Sequence, residues 1–195
     1  MAVDMYLELE GGSPAVVGET LDSEMSKKKA MQIESFAFSA QADDNAPEED
    51  DGMKQCIDPD MPFYAPPEEI GITQKALAWS IPFTVKKQVD RASPALFFSY
   101  CKSLSGVRAE FPKARVYFRK GGGVDPSLCY LTLEFSKARL VGYKVELSTG
   151  ERQGVSESLT FRFAACKYIY KPQKVSGEAA RPNEKGFDLD LKRPL

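Results

Sequence analysis

The chain has 195 residues, enough to bury one good hydrophobic core, and one domain over residues 1–195 is the expectation. Its net charge of −2 gives no electrostatic reason to expect nucleic acid or an anionic membrane as a partner. Histidine is absent from the sequence, which excludes Ser-His-Asp and Cys-His catalysis and removes the commonest metal ligand. An enzyme built on this chain would have to use carboxylates, lysine or tyrosine alone, and we assign no catalytic, metal or cofactor residues.

The apolar runs and the N-terminal residues indicate whether the protein is expected to enter a membrane or to carry a signal peptide. The longest apolar runs are only a few residues, so we expect no insertion into a membrane. The stretch Met1–Met5 lacks the basic and apolar regions of a cleaved signal peptide, and we expect no such peptide. The four cysteines are far apart and form no Cys-x-x-Cys pair, which gives a zinc or redox site no local support.

Alternating apolar and polar residues predict a mainly β fold. The first stretches run over residues 3–9, 33–41 and 79–85. A shift of parity before Cys166 indicates a β-bulge. Eight or nine short strands favour a closed or nearly closed antiparallel β-barrel or sandwich. The later stretches are 114–119, 131–136, 141–147, 159–170 and 187–191.

Residues 90–101 predict the one convincing helix. Ser93 is expected to cap its start, and Pro94 to stand at the first helical position, where a missing N–H costs nothing. Gly106 is expected to end it. The helix should flank the barrel and cover its open side or end. Its apolar face is predicted to comprise Leu96, Phe97, Tyr100, Cys101 and Leu104.

The strand predicted over 33–41 has two unlike faces. Phe36 and Phe38 point one way and belong to a core, since side chains alternate along a strand. Ser35, Ala37 and Ser39 point the other way. Such small residues suit a surface where something large passes or packs closely.

A long acidic insertion covers residues 42–78. It holds ten acidic and two basic residues, a net charge of −8, so the remainder of the chain carries +6. Five prolines oppose regular structure across most of it. A connection of this length is usually functional or disordered, and composition alone leaves both readings open.

Three sets of residues that suggest chemistry have simpler interpretations. The run Lys120–Gly123 precedes a strand and lacks the end of a phosphate-binding loop, which favours a hairpin turn. Glu134 and Glu146 could be imagined as a glycosidase carboxylate pair, but acids on exposed strands are typical of solubility residues. Scattered arginines are weak evidence for nucleic acid and better suited to pairing with acids of a neighbouring subunit. They are Arg115, Arg119, Arg139 and Arg162.

Several segments, in order along most of the chain, resemble the haemolysin-coregulated protein (Hcp) family of bacterial type VI secretion systems. The strongest is Ile169-Tyr170-Lys171-Pro172-Gln173, followed by Gly186-Phe187-Asp188. The others are Met1-Ala2-Val3-Asp4-Met5-Tyr6-Leu7, Gly18-Glu19-Thr20, Ile33-Glu34-Ser35-Phe36, Val89-Asp90-Arg91-Ala92-Ser93-Pro94 and Val116-Tyr117-Phe118-Arg119-Lys120.

This resemblance implies a barrel of two sheets with one flanking helix and a structural, non-enzymatic role. Members of the family form homohexameric rings that stack into the inner tube of a contractile machine. Sheath, spike and baseplate proteins and lumenal effectors are then the expected partners. The protein would assemble in the bacterial cytoplasm and be secreted without a signal peptide. The chain departs from the family pattern in the length and acidity of residues 42–78.

Two sets of functional residues follow as hypotheses. Ser35, Ala37 and Ser39 are expected to line the ring lumen and contact cargo. The insertion is expected to control ring stacking or subunit contacts by lying against basic surface such as Arg115, Arg119, Lys120 or Lys27–Lys29. The alternatives are a monomeric small-ligand-binding β-barrel and a hydrolase that uses acids alone. The residues predicted for stacking or subunit contact are Asp43, Asp44, Glu48, Glu49, Asp50, Asp51, Phe63 and Tyr64.

Overall fold

Ten antiparallel strands and two helices build the part of the chain that the computed structural model describes, residues 3–38, 82–107, 109–120, 129–148, 154–172 and 181–195. The mainly β prediction is confirmed. The helices are α1 (Ser23–Lys27) and α2 (Ser93–Leu104). The strands are β1 (Val3–Glu10), β2 (Met31–Ile33), β3 (Ser35–Phe38), β4 (Pro82–Gln88), β5 (Glu110–Lys120), β6 (Cys129–Ser148), β7 (Gly154–Arg162), β8 (Ala165–Tyr170), β9 (Asn183–Asp188) and β10 (Arg193–Pro194).

The longest strand, β6, is shared by two parts of one ten-stranded sheet, which we call the two sheets. Residues 131–136 pair with β8, whereas 139–148 pair with β7. Lys137 lies between the two halves with φ of 53°, a left-handed conformation that redirects the strand. The sequence predicts two strands here, over residues 131–136 and 141–147. The structure instead joins them in one bent strand.

The chain passes directly from one sheet to the other between β2 and β3. The first sheet has the order β10-β9-β8-β6-β5-β1-β2, and β6 continues through β7 and β4 to β3. Only Glu34 separates β2, which pairs with β1, from β3, which pairs with β4. The Glu34 N–H donates to the Lys86 carbonyl at 2.7 Å. Within the described residues the strands therefore wrap around the core without a β2–β3 pairing to close them.

Stacked phenylalanines fill the space between the sheets. The Phe83 ring lies 4.2 Å from the Phe135 ring and 4.9 Å from the Phe161 ring, centroid to centroid, with nearly parallel planes. All three side chains are fully buried. Aromatic pairs of this kind add about 0.5–1.5 kcal/mol beyond their buried area. These rings therefore anchor β4, β6 and β7 to one another.

The helix α2 differs from its prediction at the start and in its buried face. Ala92 is the N-cap, so Ser93 is the first helical residue and Pro94 the second, because the Ser93 hydroxyl bonds to Glu157 instead of capping. The buried side is a narrow line of Ser93, Leu96 and Ser99. Phe97, Phe98 and Leu104 are at least half exposed. Gly106, with φ of 77°, follows the helix as predicted.

Residues 23–27 form the short helix α1, which the polar composition of this segment does not predict. Asp22 caps α1 by accepting hydrogen bonds from the backbone N–H groups of Glu24 and Met25. Met25 is fully buried beside Tyr6 and Tyr117, on the outer face of β1 and β5. One apolar side chain thus fixes this short helix against the sheet.

Three strand boundaries also differ from prediction. The 33–41 strand breaks at Glu34, and its residues 39–41 lie outside the described residues. Residues 159–170 form two strands rather than one bulged strand, since residues 163 and 164 leave the ladder. The final strand of the 187–191 prediction is β9, which begins four residues earlier and ends at Asp188.

Candidate functional site

A face of small and polar side chains covers the outside of the β3-β4-β7-β6 sheet. Facing residues of antiparallel strands share a side of the sheet, so the pairing register defines this surface. One row joins Ala37, Thr84, Thr160 and Gly142, and the row beside it joins Ser35, Lys86, Ser158 and Lys144. The Thr84 and Thr160 hydroxyls are 3.2 Å apart. We call these eight residues the small-residue face.

The predicted orientation of β3 agrees with this arrangement. The Phe36 ring packs on Phe83 and Phe118, at centroid distances of 6.0 and 5.5 Å. Phe38 contacts Phe135 and Phe163 in the same way, at 5.8 and 5.9 Å. Ser35 and Ala37 are exposed on the opposite side. Core aromatics thus hold the two small residues in an outward position.

Of the predicted site residues, the structure brings together only Ser35 and Ala37. Ser39, the third predicted lumenal residue, lies outside the described residues. The same holds for every residue predicted to control stacking: Asp43, Asp44, Glu48, Glu49, Asp50, Asp51, Phe63 and Tyr64. Their roles remain predictions.

A row of alternating charges crosses the outer face of the other sheet. Arg115 Nε donates to Glu134 at 2.7 Å, and its terminal nitrogens lie 3.4 Å from Glu8 and 3.0 Å from Glu10. Burial alone would raise the pKa of Glu134, but hydrogen bonds from Arg115 and Lys113 outweigh it and hold that pKa below its ordinary value. The row is therefore neutralised within the chain.

Arg119 is paired internally as well. Its guanidinium is almost fully buried and lies 2.7 Å from Asp22 and 3.2 Å from Glu24, both at the start of α1. Acids of the same chain pair with Arg115, Arg119 and Arg139. Pairing of these arginines with acids of another subunit stays a prediction. Arg115 and Arg119 are poor docking points for the acidic insertion.

A buried ion pair joins the sheet to the start of α2. Lys87 Nζ lies 2.7 Å from Glu157 Oε1 and 2.8 Å from Asp90 Oδ1, and it donates to the Gln88 carbonyl at 2.7 Å. Glu157 also accepts from the Ser93 hydroxyl at 2.9 Å and the Tyr143 hydroxyl at 2.7 Å. Lys87 and Glu157 are completely buried. These contacts tie β4, β6 and β7 to the start of α2, so the cluster is a structural anchor.

Sequence reasoning missed this anchor although a signal was present. Phe83 and Val85 alternate with polar residues, and Lys87 continues the same parity. Glu157 likewise continues the parity of Phe161 and Leu159. A lysine and a glutamate at core-facing positions of neighbouring strands predict a buried pair, since neither is stable there alone.

The two glutamates considered as a hydrolytic pair do not form one. Glu134 is held by Arg115 and Lys113, and Glu146 by Lys86 and Lys144. The two glutamates lie on opposite halves of β6, twelve residues apart, and no described basic residue is shared between them.

A family model described as "Type VI secretion system effector, Hcp" matches residues 74–170. The chain belongs to the Hcp family. No protein of curated function matches the sequence. The family match includes β4, α2, β5, β6, β7 and β8, and therefore both the buried anchor and most of the small-residue face.

Solved structures share the Hcp fold over the whole chain. Hcp1 from Salmonella typhimurium is 21% identical, with a TM-score of 0.64 and 100% of each chain covered. A protein described only as a type six secretion system protein is 19% identical, with a TM-score of 0.68 and the same coverage. Hcp3 from Pseudomonas aeruginosa, a secreted protein, is 14% identical, with a TM-score of 0.56 and 96% and 98% covered.

The resemblance to Hcp proteins predicted from short motifs is thus confirmed, and the chain is a type VI secretion Hcp protein. Among the described residues, neither helix has the length and apolar character needed to cross a bilayer.

Proposed function

We propose that this Hcp chain is the structural tube subunit of a type VI secretion machine. Chains assemble into hexameric rings, rings stack into the inner tube, and the tube is secreted with effectors in its lumen. The subunit then meets other copies of itself, sheath, spike and baseplate proteins, and effectors, and it performs no catalysis. The observation that carries this proposal is the small-residue face on a chain with the Hcp fold.

The small-residue face suits a channel wall. Ala37, Gly142 and the paired threonines project little, and Lys86 and Lys144 both lie near Glu146, at 3.7 and 2.7 Å. A wall without large apolar groups holds a passing protein weakly, because little apolar area is buried on contact. We assign Ser35, Ala37 and Ser39 to the lumen on this basis.

The acidic insertion is proposed to act at ring-to-ring contacts. It follows β3 directly, so it leaves from the strand assigned to the lumen. The acids Asp43, Asp44, Glu48, Glu49, Asp50 and Asp51 would supply a salt-sensitive contact, and Phe63 and Tyr64 an apolar one. Because Arg115 and Arg119 are already paired, Lys27–Lys29 is the better basic partner.

The filled interior argues against a monomeric barrel that binds a small ligand between its sheets. Phe83, Phe135 and Phe161 occupy the centre with ring distances of 4.2 and 4.9 Å. A ligand of ordinary size would have to displace these side chains.

Negative-stain microscopy with mass measurement at micromolar concentration tests the proposal. Rings with an open centre and the mass of six subunits are the expected result. A monomer under these conditions would overturn the proposed function.

A further inference from the structure

The core-facing side of the sheets extends past the core at both ends of β6. At one end, Tyr168 and Tyr170 of β8 pair with the core-facing Leu133 and Leu131, yet they are 49% and 45% exposed. At the other end, Leu147 of β6 pairs with Val155 of β7, and these are 71% and 41% exposed. The side chains of both sets alternate in phase with the buried residues of their strands and so face the core side. No described part of the chain covers them.

The first uncovered region is an apolar groove beside β8 and β9. Phe38 forms one wall, and its ring packs against Phe163. Phe187 pairs with Cys166 across the two strands and is 44% exposed. Burial raises the pKa of the Cys166 thiol to about 11, as expected in apolar surroundings. We call this surface the β8–β9 groove; Lys185 and Gly186 line it together with the apolar residues Phe38, Phe163, Cys166, Tyr168, Phe187 and Leu189.

The second uncovered region is an exposed apolar strip beyond α2. The Val89 N–H donates to the Val155 carbonyl at 2.9 Å, which places Val89 beside the Leu147–Val155 pair. Val145 lies two residues from Leu147, and Phe97 of α2 contacts Tyr143, two residues further along β6. We call this surface the β6–β7 patch; it comprises Val89, Phe97, Val145, Leu147 and Val155, each at least 41% exposed.

From this pair of surfaces we infer that the β6–β7 patch of one subunit docks into the β8–β9 groove of the next copy of this chain. The inference rests on the proposed ring. It assigns that ring a contact between two different surfaces of the same protein.

The symmetry of a ring requires such a contact. A cyclic assembly larger than a dimer joins one surface to another, whereas a two-fold dimer joins a surface to itself. The groove and the patch are twelve residues apart along β6, measured from Leu133 to Val145, or up to about 40 Å of strand. Each subunit can therefore contact two neighbours at once.

The exposed area contributes to such an interface. At about 200 Å² per aromatic side chain, the exposed fractions of Phe38, Tyr168 and Phe187 leave roughly 260 Å² uncovered in the groove. Stable interfaces bury roughly 1,200–2,000 Å² in total, with somewhat more than half apolar. The groove and the patch thus supply an apolar centre for one standard interface.

A pair of charge-introducing variants tests the inference. Leu147→Glu damages only the patch, and Phe187→Glu only the groove; Leu21→Glu is the matched control, because Leu21 is fully exposed and outside both surfaces. Native mass spectrometry and microscopy at several concentrations, with circular dichroism as a folding check, give the readout. Leu147→Glu and Phe187→Glu should weaken ring association at least about 30-fold, while Leu21→Glu keeps rings.

Mixing the two interface variants distinguishes a contact between unlike surfaces from other contacts. The intact groove of Leu147→Glu accepts the intact patch of Phe187→Glu, so the mixture should give a heterodimer and no ring. If one variant does not fold, Val155→Glu or Tyr168→Glu replaces it on the same surface.

Three outcomes would overturn the inference. Rings that persist in both variants would show that the contact lies elsewhere, while the proposed ring stands. Rings that persist in Phe187→Glu with a lowered melting temperature would show that the groove is filled by its own chain, for instance by residues 39–81. Dimers of either variant alone would show a contact of like surfaces. A parent protein that forms no ring contradicts the proposed function itself.

Discussion

At the residue scale, the most informative group is the Lys87–Glu157 pair, because both charges are completely buried. Removing one member of a buried pair leaves an uncompensated charge, which typically costs 3–5 kcal/mol. Replacing both by apolar residues removes that penalty. Lys87→Met and Glu157→Leu should each lower the free energy of unfolding by about 3–5 kcal/mol.

The double variant should lose clearly less stability than the sum of the single losses, as measured by urea unfolding at neutral pH. Strictly additive losses would show that the two side chains do not act as a pair.

Glu134 gives a pH dependence with a definite sign. Its pKa is lower in the folded protein than in the unfolded chain, so the unfolded chain binds the proton first as pH falls. The stabilisation is complete above the unfolded pKa near 4.5 and is lost as pH falls through the folded pKa. Glu134→Gln should therefore destabilise at pH 7 and do so progressively less as pH falls below 4.5, in thermal unfolding measured over that range. A loss that stays constant across the range would contradict this account.

The sequence predicted the residue-scale features unevenly. The orientation of Phe36 and Phe38 agrees with the prediction, because strict alternation along a strand leaves no other arrangement. Phe36 packs against the core as predicted, whereas Phe38 is 37% exposed at its edge. Ser93 was assigned to the cap because serine is a good N-cap, yet the buried carboxylate of Glu157 binds its hydroxyl instead. That partner is 64 residues away, and local sequence rules hold no information on it.

At the element scale, the connection before α1 depends on a close backbone approach at Gly18. A Cβ there would lie 2.1 Å from the Ala30 carbonyl oxygen, and the Gly18 N–H donates to Lys29 at 2.9 Å. Gly18→Ala should therefore force the connection off β2 and lower the melting temperature by several degrees. Gly154→Ala is the control, because its Cβ meets only the end of the Gln88 side chain. Similar losses in both would mean that the backbone at Gly18 can yield.

The predictions for the two helices differ from the structure where the number of apolar residues does not match the number of buried ones. In α1 a single buried residue, Met25, packs the five-residue helix against the sheet. One apolar residue makes no helical repeat, so the sequence pattern could not predict this helix. In α2 the apolar residues outnumber the buried ones. Leu96 enters the core, whereas Phe97 and Leu104 belong to the outer surface. The pattern therefore indicated a helix correctly but overstated the width of its buried face.

At the scale of the whole molecule, the lumen assignment predicts an effect on cargo without an effect on assembly. Ala37→Gln and Ser39→Gln enlarge residues of the proposed channel wall, while Phe36 keeps β3 in place. Hexameric rings should remain, and the amount of effector recovered with purified rings should fall. Loss of the rings in either variant would place this strand in a subunit contact instead.

Deleting residues 43–67 and joining the ends with a short glycine linker tests the acidic insertion. Rings should survive, while stacking into tubes should change and lose its dependence on salt, since charges interact over about 8 Å at physiological ionic strength. Sedimentation of tubes at low and high salt provides the measurement. Stacking and secretion identical to those of the parent protein would show that the insertion has no part in them.

The continuous strand β6 has a mechanical consequence. Its first half pairs with β8 beside the groove, and its second half, at Val145 and Leu147, supplies the patch. In a ring joined through these two surfaces, tension entering a subunit at the groove passes through the β8–β6 pairing and then along β6 to the patch, without crossing a loop. Six such subunits would form a hoop around the channel, which resists widening when the tube is driven outward under load.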